Sequence, residues 1–103
     1  MIEVEHWDSA SDGVLSEQAL RDKLISRGFS VTRYVYPPDT RFPPHSHDCD
    51  KFDAVLSGQF RLSMGGVSVI LHAGDCLYVP KGIIHSAEVI GDDEVISLDG
   101  VRT

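Results

Sequence analysis

An all-β chain, a barrel of short antiparallel strands with one short helix in front, is what this sequence of 103 residues predicts. Three observations carry that expectation. From Phe29 onward, β-branched and aromatic residues come in short runs separated by Gly, Pro and Asp. The runs recur at roughly the 8–12-residue spacing of sandwiches and barrels. Only one stretch, ahead of them, carries helix caps and a helical apolar stripe.

Residues 1–13, MIEVEHWDSASDG, are acidic and polar and read as an extended arm, with Ile2, Val4 and Trp7 able to offer an edge. They lack a basic stretch followed by an apolar one, so they do not read as a signal peptide. Ser16 is a good N-cap, Glu17 sits in the first turn, and Leu15 can staple onto Leu20. Ala19, Leu20, Leu24 and Ile25 form an apolar stripe and Gly28 supplies a left-handed stop, so the spacing predicts a helix from Glu17 to Arg27. VTRYVY then alternates as a strand until Pro37-Pro38. DAVLSG, QFRLSM, VSVILH, CLYVP, IHSAEVI and EVISLD follow as further strands, with Gly65-Gly66 as a tight hairpin turn. The expected organisation is one domain over 1–103: arm 1–13, helix 16–28, barrel 29–101.

A net charge of −7 argues against nucleic acid as a partner, because phosphate contacts need clustered Lys and Arg. No apolar run approaches the ~20 residues needed to cross a bilayer, so no membrane role is expected. Two cysteines, Cys49 and Cys76, are too few for a disulfide framework, and the expectation is a cytoplasmic protein with reduced thiols.

His45 and His47 are two residues apart, so on a strand they face the same side, about 6.6 Å apart along the backbone. Two imidazoles so placed can converge on one ion at about 2.0–2.1 Å. The segment His45–Gly58, HSHDCDKFDAVLSG, resembles the first motif of the cupin family, H-x-H-x(3,4)-E-x6-G. Gly74–Val89, GDCLYVPKGIIHSAEV, resembles the second, G-x5-P-x-G-x2-H-x3-N, with Gly74, Pro80, Gly82 and His85 in place. The 15 residues between Gly58 and Gly74 suit the short spacer of small bacterial cupins. The resemblance covers residues 31–100 and implies an RmlC-like jelly roll, the double-stranded β-helix of type-2 cupins. It also implies a metal held by His45, His47 and His85.

Two positions depart from the pattern. Lys51 stands where the family's glutamate ligand would be, and Val89 replaces the final Asn. An ammonium has no lone pair to coordinate with. Lys51 can turn to solvent and leave a three-histidine site, which is the leading expectation. It can instead point inward, paired with Asp53, and hold an anionic substrate above the metal. Or the metal is lost and the pocket takes an organic ligand. Lys51 and Asp53 are therefore the candidate catalytic residues. Cys49 keeps the H-x-H parity and is a further possible ligand. Cys76 reads as a buried small hydrophobe, and His6 and His72 as surface residues. Phe42, Phe52, Phe60, Met64 and Tyr78 are candidates for pocket lining or core.

The functional expectation is a divalent-metal cupin (Fe, Zn, Ni or Mn) binding a small molecule. It would be a dioxygenase or isomerase acting on an anionic or enolisable compound. The alternative is a non-catalytic binding or sensing cupin, with or without metal, because one barrel hosts many activities. A homodimer is expected, with the N-terminal arm and first strand as its interface.

Overall fold

The computed structural model describes residues 2–102. Strand β1 is Val4–Glu5, followed by helices α1 (Ser9–Asp12) and α2 (Glu17–Ser26). Eight strands follow: β2 Ser30–Tyr36, β3 Arg41–His45, β4 Asp50–Ser57, β5 Gln59–Met64, β6 Val67–Leu71, β7 Cys76–Val79, β8 His85–Ile90 and β9 Val95–Arg102. They form two antiparallel sheets, ordered β1-β7-β4-β9-β2 and β3-β8-β5-β6. This is the expected all-β jelly roll. No helix among the described residues is long and apolar enough to cross a membrane.

The arm differs from the extended segment expected. Asp8 accepts the Ala10 N–H at 3.0 Å and caps the one-turn helix α1, and the Trp7 indole donates to the Gly13 carbonyl at 2.9 Å. Helix α2 starts as its sequence indicates, with Ser16 Oγ accepting the Ala19 N–H at 3.0 Å. It ends at Ser26, one residue early, where the Arg27 and Gly28 N–H groups turn back onto the Leu24 and Ile25 carbonyls. Leu20 and Leu24 are fully buried, whereas Ile25, expected on the same stripe, is half exposed.

Strand alternation builds two cores with one set of residues. In β4, Phe52 and Ala54 face outward and pack with Leu20, Leu24, Phe29, Cys76 and Leu98 beneath α2. Val55 faces inward, among Phe60, Leu62, Met64, Leu71, Leu77, Val79, Val89 and Val95. The period of two puts Lys51 and Asp53 on that inward face with Val55. In β9 it likewise puts Ser97 and Asp99 inward with Val95.

The arm is fastened to α2 by ion pairs. Arg27 holds Glu5 through two hydrogen bonds of 2.5 and 2.6 Å, and Lys23 lies 3.0 Å from both Glu5 and Asp12. The Arg27 hydrogen bonds lower the Glu5 carboxyl from 4.5 to about 2, against the opposing effect of burial. A carboxyl lowered on folding stabilises above its unfolded value, and that contribution is lost as pH falls from 4.5 toward 2. The side chains are about 40% exposed, so screening limits it to about 1 kcal/mol or less. Glu5→Gln should therefore cost little at neutral pH and nothing at about pH 2, as read by urea denaturation.

Gly58 closes the β4–β5 turn at φ +84°, where a Cβ would lie 2.4 Å from the Glu94 carbonyl oxygen. The first motif needs glycine here for space as well as for backbone freedom. Gly58→Ala should lower the free energy of unfolding by about 3 kcal/mol in chemical denaturation.

Candidate functional site

Strand β3 contains Pro43-Pro44, which a central strand would not tolerate. It lies on the edge of its sheet, where missing N–H donors are harmless, and its register with β8 breaks between Phe42 and His45. After that break His45 lies directly opposite His85. Cross-strand partners have Cβ atoms about 5 Å apart, so the pairing itself brings the two imidazoles together. Their ring centroids are 4.3 Å apart.

His47 lies beyond the end of β3, so strand periodicity does not place it. Its carbonyl accepts the Gly82 N–H at 2.9 Å, and Asp50 Oδ1 accepts the Lys81 N–H at 2.9 Å. These bonds join the loop after β3 and the first residue of β4 to the Pro80–Gly82 turn, where Gly82 adopts φ 82°. His47 thereby comes within 4.8 Å of the His45 ring and 5.1 Å of the His85 ring, centroid to centroid.

Two of the rings are oriented by backbone. His45 Nδ1 lies 2.7 Å from the Pro43 carbonyl and His85 Nδ1 lies 3.1 Å from the Ile83 carbonyl. A carbonyl can only accept, so Nδ1 carries a proton, and in the neutral ring Nε2 keeps its lone pair. Burial, then the Lys51 charge, lowers the His47 imidazole below its ordinary value; burial does the same for His85. Both are neutral at neutral pH, the form in which imidazole binds metal. The ligand atoms of His45, His47 and His85 all lie within 4.8 Å of one another. Two nitrogens on one ion at about 2.1 Å are at most about 4.2 Å apart, a separation of the same order as that of this set. The donor set fits a divalent metal. Cys49 is not part of this group.

Lys51 does not turn to solvent. Its side chain is 12% exposed, with Nζ 2.8 Å from Asp99 Oδ2 and 3.6 Å from Asp53 Oδ1. Parity on β4 sends it inward, and the acid that answers its charge stands on the neighbouring strand β9, where Asp53 and Asp99 are direct cross-strand partners. The inward alternative is thus the observed one, with Asp99 rather than Asp53 as the hydrogen-bonded partner. An ammonium already shared by two acids offers an entering anion no net positive charge. Burial, then Asp99, raises the Asp53 carboxyl well above its usual range, and Asp53 Oδ1 has no hydrogen-bond partner.

Asp99 and Tyr36 are the residues that sequence reading missed. The signal for Asp99 lies in the alternation of EVISLD, which aligns it with buried Val95 and Ser97. Burial raises the Tyr36 phenol, with Asp99 and Asp53 adding to the effect. Its ring lies 5.5 Å from Phe60 and 5.0 Å from Phe42.

Of the other candidates, Phe60 and Met64 lie in the barrel core and Phe42 packs against it. Phe52 instead faces α2 and meets Phe29 edge-on at 5.3 Å, and Tyr78 is 43% exposed. Cys76 is fully buried and both thiols are free. His6 and His72 are exposed, as expected, though His6 Nδ1 lies 2.7 Å from buried Asp75. A separate groove of about 1050 Å³ runs along β1 past Ile2, Val4, Phe52 and Tyr78 and includes none of the three histidines.

Comparison with known proteins adds the following. The family model described as the cupin domain matches residues 32–100. The chain is 38% identical over 86 residues to a bifunctional lysine-specific demethylase and histidyl-hydroxylase NO66 of Branchiostoma floridae, covering 80% of this chain and 14% of that protein. It is 30% identical over 94 residues to the H2HPP isomerase of Bacillus subtilis, covering 90% and 36%. Among solved structures it is similar to the DMSP lyase DddQ from Ruegeria pomeroyi, with TM-score 0.62 and 26% identity over 72% of this chain and 39% of that one. The chain thus spans between 14% and 36% of the length of these two curated relatives.

Proposed function

The chain belongs to the cupin family, and on that premise we propose that His45, His47 and His85 hold a divalent transition metal at which a small enolisable or anionic molecule is bound and transformed. One observation supports this above the rest. The backbone carbonyls of Pro43 and Ile83 fix the Nδ1 protons of His45 and His85, leaving both Nε2 lone pairs free in a cluster that also contains His47. Such an orienting bond is what metal-binding histidines ordinarily require. Imidazole ligands suit Fe, Zn, Ni or Mn. When bound, the ion supplies a Lewis acid that polarises a carbonyl or enolate oxygen, and a redox-active ion adds oxygen chemistry.

The relatives include a hydroxylase, an isomerase and a lyase, which favours an enzyme of the isomerase or dioxygenase type. The test is reconstitution with Co(II), read by its visible absorption, followed by titration with acetylacetone as an enolisable probe. Cobalt bands that acetylacetone perturbs are expected; a protein that takes up no cobalt contradicts the proposal. Oxygen uptake by the iron-loaded protein with acetylacetone distinguishes a dioxygenase from a binding or sensing cupin, which binds the probe and consumes none.

The dimer is proposed on the groove along β1, a two-residue edge strand beside the apolar side chains of Ile2, Val4 and Phe52. Light scattering at micromolar concentration should give twice the chain mass, and a strictly monomeric mass would remove this part of the proposal.

A further inference from the structure

Inside the barrel, Lys51, Asp53 and Asp99 form a unit that the three-histidine reading does not use. We propose that Asp53 and Asp99 share one proton, so that Asp99 meets a bound ligand as a base, with Asp53 and Lys51 as the residues that position it. The ligand class this unit serves is a small carbonyl compound with an acidic C–H, and the inference rests on the binding site proposed above.

The geometry carries the argument. Asp53 and Asp99 are directly opposed on adjacent antiparallel strands and face the interior. Two ionised carboxylates so placed repel each other, and one cation is present for the two. That cation is shared unequally: Lys51 Nζ is 2.8 Å from Asp99 and 3.6 Å from Asp53. Asp53 is 8% exposed and its Oδ1 is buried without a hydrogen-bond partner. A buried carboxylate in that position leaves an oxygen without a hydrogen bond, whereas a carboxylic acid can donate to Asp99. With one proton shared, the unit is neutral; without it, the barrel interior carries a net negative charge.

The surrounding elements agree. Strand β7 presents Leu77, the partner of Asp53, and buried Val79. Strand β2 brings the Tyr36 phenol, which feels both acids. From across the barrel, His47 and His85 feel the charges of Lys51 and Asp99. The raised carboxyl of Asp53 has burial and Asp99 as its causes. Asp99 is the more exposed of the two acids, with 16% of its side chain accessible against 11% for Asp53.

The chemistry balances without an oxidant or reductant. A C–H bond of the ligand breaks, its electron pair stays on the ligand as an enolate, and the proton passes to an Asp99 oxygen. The unit changes from neutral to positive as the ligand gains negative charge, which favours the enolate electrostatically. Returning the proton to a different ligand atom completes a tautomerisation.

The first test uses metal-free protein with carbon-13-labelled aspartate carboxyls, titrated by NMR. One carboxyl should remain protonated at neutral pH and disappear from the spectrum in Asp53→Asn. Asp99→Asn, which removes the like charge and frees Lys51, should move that titration down by about one pH unit or more; Lys51→Met should move it up. All aspartates ionised at about pH 5 in the wild type would overturn the shared proton. So would a titration that neither variant moves. The second test follows exchange of the C3 protons of 2-oxobutanoate for solvent deuterium. Zinc-loaded protein should accelerate it, and Asp99→Asn should lower that rate about a hundredfold with zinc content unchanged. No acceleration by the wild type, or equal rates in the variant, would overturn the base role. A protein that takes no zinc but shows the protonated carboxyl refutes the metal proposal and leaves the shared proton standing.

Discussion

Lys51→Met is expected to lower the free energy of unfolding by about 3 kcal/mol at neutral pH, because removing one member of a buried ion pair strands the other. Met has nearly the length of the lysine stem, so the deficit reports charge more than lost packing. Asp99 loses its hydrogen-bonded cation, and Asp53 loses the influence that lowers its carboxyl. The pH dependence has a definite sign. A carboxyl raised on folding stabilises below its unfolded value of 3.8, and that contribution is lost as pH rises toward the folded value. The variant raises the folded value further, so its deficit should stay constant from about pH 4 to neutrality, where that carboxyl is protonated in both proteins, and widen only above the wild-type folded value. Urea denaturation at the two pH values measures this directly. A Lys51→Met/Asp99→Asn double variant, which removes both charges, should recover most of the loss. A deficit below about 1 kcal/mol would mean that Lys51 is solvated, as in a surface pair.

His85→Ala carries the other large effect. It should weaken zinc binding on the order of a thousandfold, beyond the 10–100-fold that follows loss of a residue merely orienting a ligand. His85 is the residue through which the second motif reaches the first: it pairs with His45 across the β3–β8 ladder, and only 4% of it is exposed. Competition against a zinc-chelating dye gives the affinity. His6→Ala and His72→Ala, which sit by Asp75 and outside the cluster, should bind as the wild type does. A His85→Ala protein of unchanged affinity would move the metal elsewhere.

The residues that punctuate this chain were readable because their roles are local. Gly58 and Gly82 mark backbone that turns into the left-handed region, and Ser16 marks the start of a helix. The three histidines stood out because the spacing around Gly74, Pro80 and Gly82 is specific. What stayed hidden depends on neighbours distant in sequence. Pro43-Pro44 argue against a strand until β3 is known to be an edge. His47 meets His45 through a loop bonded to Gly82, not through strand periodicity. The inward turn of Lys51 was the less favoured alternative, because its main partner, Asp99, lies 48 residues away on another strand. Ile25 and Tyr78 look apolar enough for a core, yet both face solvent at its margins.

The metal site formed by His45, His47 and His85 is the premise of the proposed chemistry. Its most direct test is the metal content of the chain, expressed without a polyhistidine tag and measured by elemental mass spectrometry beside a His47→Ala control. Close to one equivalent of a divalent transition metal is expected in the wild type, with a large loss in the control. A wild-type protein that is metal-free as isolated and takes up none on reconstitution would contradict it.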